Sequence, residues 1–70
     1  MNYEILITSV PDREKRVAEI WQGEALLAEI NQENEDLELQ IYTPDRSSGI
    51  SVDYKQFMKV LDEAKNRLLN

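Results

Sequence analysis

Apolar and polar residues alternate in short runs over most of this chain and switch to helical spacing only near its end. Tyr3 to Ser9 is rich in β-branched and aromatic residues and stops at Val10-Pro11-Asp12, a turn signal, so it reads as a strand. At the other end Phe57, Val60, Leu61, Ala64 and Leu68 recur at helical spacing and form one stripe. Asp53, three residues before Gln56, is close to a capping box, with its carboxylate placed to accept orphan amides of a first turn. Val52 and Phe57 occupy the two staple positions around that cap. Lys65 and Arg67 lie where a helix dipole favours cations. Together these predict a helix from about Tyr54 to Leu69.

The middle admits two readings. Glu14 to Gln32 contains strong helix formers, and Val17, Ile20, Trp21, Leu27 and Ala28 make a helical stripe, which gives β-α-β-α. Glu24 then falls inside the stripe, and Gly23 weakens the helix interior by about 1 kcal/mol. The strand reading meets fewer conflicts. Ala18 and Ile20 alternate with Val17, Glu19 and Trp21, Gly23 supplies a turn, and Leu26, Ala28 and Ile30 alternate with Leu27, Glu29 and Asn31. A polar turn at Glu33-Asn34-Glu35-Asp36 leads into Leu37, Leu39 and Ile41, alternating with Glu38, Gln40 and Tyr42. The expected fold is therefore α+β: a small antiparallel meander of about four strands with one C-terminal helix on one face.

Alternation also constrains register. A three-residue loop, Gln22-Gly23-Glu24, sets Ile20 opposite Leu26, and an even loop with Asn34-Glu35 near its tip brings Ile30 and Leu39 to one face. The expected core face is then Ile5, Ile7, Ala18, Ile20, Leu26, Ala28, Ile30, Leu37, Leu39 and Ile41, covered by the helix stripe. Leu6, Val17, Trp21, Leu27 and Tyr42 point the other way, together with Glu19, Glu29, Glu38 and Gln40. One helix cannot cover both faces. The second face is expected to present Trp21, Leu27 and Tyr42 as apolar anchors inside a solvated rim of Glu19, Glu29 and Glu38, the arrangement by which protein interfaces commonly bind.

Charge sharpens that picture. Eight acids and no Lys or Arg lie between Val17 and Asp45, while the rest of the 70 residues carry six acids and eight bases; −8 and +2 make the net −6. Such a field repels DNA, RNA and anionic lipid and attracts basic surfaces, so no direct nucleic-acid or membrane partner is expected. No apolar run approaches the ~20 residues that span a bilayer, and the N-terminal run has no basic stretch before it. A cytoplasmic protein is the expectation. With neither histidine nor cysteine, a Ser-His-Asp triad, a His base and Cys/His zinc sites are excluded. Glu33, Glu35 and Asp36 lack the spacing of a calcium loop, and Pro44-Asp45-Arg46 with Ser47-Ser48-Gly49 matches neither phosphate-binding pattern. No cofactor, metal or enzymatic activity is expected.

At Asp12-Arg13-Glu14, Val17-Ala18-Glu19-Ile20-Trp21, Ala28-Glu29-Ile30-Asn31-Gln32-Glu33 and Leu39-Gln40-Ile41-Tyr42-Thr43-Pro44, the chain resembles a group of short acidic bacterial proteins without an assigned activity. That resemblance covers most of the chain and implies no site residue. In size and charge the chain is also similar to immunity proteins, antitoxins and the anti-CRISPR inhibitors of phages. The functional expectation is a single-domain, non-enzymatic protein-binding module, of inhibitor or immunity type, engaging a basic protein surface. The alternative is a homodimer built on the open sheet face or on an edge strand.

Overall fold

The computed structural model describes residues 2–42 and 49–70. Four strands, β1 (Glu4–Thr8), β2 (Val17–Gln22), β3 (Ala25–Asn31) and β4 (Glu38–Ile41), form one antiparallel sheet in chain order, followed by α1 (Tyr54–Leu69). This is the expected α+β meander, and residues 14–32 contain a hairpin rather than a helix. The loop candidate at Pro44-Asp45-Arg46 and Ser47-Ser48 lies outside the described residues.

α1 begins where the cap signal places it. Asp53 is extended and its Oδ1 accepts the Gln56 amide at 2.7 Å, an interaction that contributes about 1 kcal/mol. The helix lays its stripe chiefly on β2 and β1. Ala18, Ile20, Ala28, Ile30, Ala64 and Leu68 form the buried core, with Tyr3, Ile5, Ile7, Phe57, Val60 and Leu61 packed around it. Tyr3 and Phe57 meet edge to face, ring centroids 5.7 Å apart.

The β2–β3 hairpin departs from the expected register in an instructive way. Gln22 pairs with Ala25, so the loop is two residues long, Gly23-Glu24, and not the three expected. Gly23 has φ +60° and no described non-glycine residue, Glu24 included, has positive φ, the sign pattern of a type II′ turn. A two-residue loop continued regularly would set Ile20 against Leu27 and turn one strand's apolar residues to the wrong face. A bulge between Ile20 and Trp21 prevents this: Trp21 faces Leu26, Ile20 faces Ala28, and Leu27 is left without a partner on β2. Parity is restored two residues away from the expected alignment, so Ile20 lies opposite Ala28 instead of Leu26. Leu26, expected under the helix, sits half-buried beside the turn. The β3–β4 hairpin matches the expectation, with Ile30 opposite Leu39 and Asn34-Glu35 at the middle of the loop.

The far edge of the core face corrects a second expectation. Because α1 lies over β1 and β2, it leaves β4 uncovered, and Leu37, Leu39 and Ile41 are exposed rather than core. Four strands are wider than one helix.

Candidate interaction surface

The sheet face opposite α1 was expected to be open, with its carboxylates in water. It is closed. Glu29 is 4% exposed and Glu19 9%, Val17 and Asn31 are fully buried, and Leu27 is buried at the bulge. The cover comes from the β1–β2 connection. A turn in which the Arg13 amide donates to the Val10 carbonyl brings this segment back towards the sheet, and the Arg13 side chain reaches past β2 to β3 and β4. Its Nε donates to Glu29 Oε2 at 3.1 Å and its Nη2 to Gln40 Oε1 at 2.7 Å. The Glu14 amide donates to Glu33, and Gln32 donates to the Arg16 carbonyl, fixing the end of the strap to the second hairpin.

Beneath the strap the polar groups satisfy one another. Asn31 Nδ2 donates to Glu29 Oε2 and to Glu38 Oε1, and its Oδ1 accepts the Glu33 amide. Trp21 Nε1 donates to Glu19 Oε1 at 3.1 Å. No buried side-chain nitrogen or oxygen among the described residues lacks a partner. Glu19 and Glu29 lie directly opposite one another in the β2–β3 ladder. Two like charges there are tolerable because an indole N–H holds one and a guanidinium the other. Desolvation opposes protonation of Arg13, yet the Glu29 charge and hydrogen bond outweigh it and raise its pKa. Burial, reinforced by the Glu29 carboxylate, raises the Tyr42 phenol above its ordinary value.

The six residues expected to bind a partner therefore divide. Glu19, Glu29 and Leu27 belong to the closed layer. Trp21 and Tyr42 are half-buried at its margin. Glu38 alone is exposed, with Oε1 held by Asn31 and Oε2 by Asn34 at 3.2 Å. Arg13 and Asn31, which organise the layer, were absent from the expected set. Asn31 was legible, since alternation places it on the face of Glu29. Arg13 was not, because no sequence spacing says where a loop side chain lands.

The open apolar surface lies on the other side of the sheet, along β4. Ile30, Leu37, Leu39, Met58 and Leu61 line a groove of about 280 Å³ between this strand and α1, with Asp62 and Lys65 at its helical wall. Leu39 is 43% exposed and Ile41 60%. Lys65 is paired with Asp62 at 3.3 Å, so the groove's own cation is already answered. Glu38 stands at its strand wall and the loop before β4 carries Glu33, Glu35 and Asp36, none ion-paired to a described residue.

The backbone of β4 is half used. The Tyr42 amide donates to the Leu27 carbonyl, which fixes the even-numbered residues 38, 40 and 42 as those whose amides and carbonyls point to β3. Leu39 and Ile41 then direct theirs outward, and no described strand pairs with that edge. The same two residues carry the exposed apolar side chains. No group of three or more described acidic, histidine or cysteine side chains is placed to hold a metal, and no described helix is long and apolar enough to cross a membrane. Comparison of the chain with protein-family models, curated proteins and solved structures found no match.

Proposed function

We propose that this chain is a small non-enzymatic protein-binding module that engages a partner with a basic surface, and that it does so through the β4 edge and the groove beside it. One observation carries the reading: Leu39 and Ile41 expose apolar side chains on one edge whose outward backbone no described strand pairs, within the segment that holds eight acids and no base. Apolar anchors inside a charged rim give affinity at the centre and orientation at the margin. Covering a basic site on another protein, as inhibitors and immunity proteins do, is the mode of action such a surface serves. The face around Trp21, Leu27 and Tyr42 is the weaker candidate, since its middle is filled by Arg13.

A second copy is the alternative occupant. Two β4 edges related by a two-fold can pair with Leu39 opposite Leu39 and Glu38 opposite Gln40, which apposes no like charges. Against it stands the net charge of −6 on each copy.

Affinity capture on the immobilised protein at low salt tests the assignment. Wild type and Trp21→Ala should retain the same protein, whereas Leu39→Arg, a change at an exposed position, should lose it, as should wild type at about 0.5 M salt. Capture lost in Trp21→Ala but kept in Leu39→Arg would move the working surface to the opposite face.

A further inference from the structure

Resting on the assignment of β4 as the working edge, we infer that the ligand is an extended segment of a partner protein, added to the sheet as a fifth strand, in which apolar residues alternate with polar ones and a Lys or Arg stands beside Glu38. The backbone supplies the first half of the argument. Leu39 and Ile41 present outward amides and carbonyls in ladder geometry, and an added strand satisfies them at once. A helix or a folded surface laid in the groove would leave them to water.

The two faces of β4 supply the second half. In either strand direction, a residue lateral to Leu39 projects to the same face as Leu39, and its neighbours project to the other. On the α1 side an incoming side chain meets the groove of Leu37, Leu39, Met58 and Leu61, so it is apolar. On the Arg13 side it meets Glu38. That carboxylate accepts two amide hydrogen bonds but has no cation among the described residues. Farther along the hairpin are Glu35 and Asp36, also without an ion pair. Arg13 is bonded to Glu29 and Gln40, and no ion pair joins it to Glu38. Charge complementarity thus places a cation beside Glu38, while the position beside Gln40, which holds the Arg13 guanidinium, calls for a neutral or polar residue. An acidic or purely apolar strand would leave the Glu38 side unmatched.

The probe is the capped heptapeptide Val-Lys-Val-Lys-Val-Lys-Val, titrated into isotopically labelled protein at low ionic strength and followed by NMR. The expected result is saturable shifts centred on the Leu39 and Ile41 amides, with affinity lowered about tenfold by Leu39→Arg and several-fold by Glu38→Gln. N-methylation discriminates the bonding. Methylating the valines abolishes an antiparallel pairing, and methylating the lysines abolishes a parallel one, because those are the amides that each ladder uses. Three outcomes overturn the inference: indifference to both methylations, equal binding of the Val/Glu peptide or of a peptide with the same residues in two blocks, and no shifts up to about 1 mM peptide. Shifts at these amides that depend on protein concentration without peptide would name a second copy as the occupant and overturn it too. If the peptide fails while Leu39→Arg still abolishes partner capture, strand addition falls and the surface assignment stands. If Leu39→Arg affects neither, both fall.

Discussion

Arg13 ties three elements together through one guanidinium, and its partner Glu29 has only 6% of its side chain exposed. Removing Arg13, whose own side chain is 21% exposed, leaves the buried Glu29 charge without compensation, whereas replacing both members of such a pair by apolar groups of similar volume is commonly neutral or stabilising. Arg13→Ala should therefore lower the denaturant midpoint clearly, and Arg13→Met combined with Glu29→Leu should bring it back to the wild-type value or above. An unchanged midpoint in Arg13→Ala would mean that the strap does not hold the second face. Tyr42 gives a pH signature in the same layer. Its phenol is held above the ordinary value near 10, chiefly by burial. Between the unfolded and folded values the unfolded chain binds fewer protons, so this contribution is full below about pH 10 and is lost as pH rises through the folded value. Denaturation midpoints measured from about pH 8 to 11 should fall at the alkaline end, and Tyr42→Phe should flatten that fall.

Among the elements, the β2–β3 hairpin shows how turn and bulge jointly set a register. Gly23 has φ +60°, and a Cβ built there meets nothing within 4 Å. The cost of Gly23→Ala is then backbone strain alone, about 1 kcal/mol, and Gly23→Asn should cost less because Asn is the better tolerated of the two at a positive-φ hairpin position. Equilibrium unfolding of the two variants checks this; equal losses would point to a side-chain effect instead. The strands themselves were legible because alternation survives wherever one face is buried, and α1 was legible from its cap and stripe. The bulge was not. An odd register at the turn and an even one in the body both satisfy local patterning, and only the packing of Ile20 and Ala28 under the helix chooses between them.

Across the whole molecule, charge is distributed so that β2, β3 and β4 and the two turns between them carry acids without a base, and the net is −6. Among the described residues, one part-buried pair and two helical surface pairs, Lys65–Asp62 and Arg67–Glu63, set little against that repulsion. Added NaCl should accordingly raise the thermal midpoint by a few degrees between about 20 mM and 500 mM, since screening relieves long-range repulsion more than it weakens the buried pair. A falling midpoint would show that surface ion pairs dominate. The uncovered apolar strip along β4 is a property of this scale as well: one helix placed over β1 and β2 leaves the fourth strand bare.

Sequence by itself determined the elements, their order, the helix cap, the face to which Ile5, Ile7, Ala18, Ile20, Ala28 and Ile30 belong, and the one-signed charge of the central segment. These follow from periodicity and composition, which are local quantities. Tertiary structure alone decided which face is open. Burial depends on what crosses a surface, and the crossing group here is a loop arginine that no periodicity locates, so Glu19 and Glu29 left the water while Leu39 and Ile41 stayed in it.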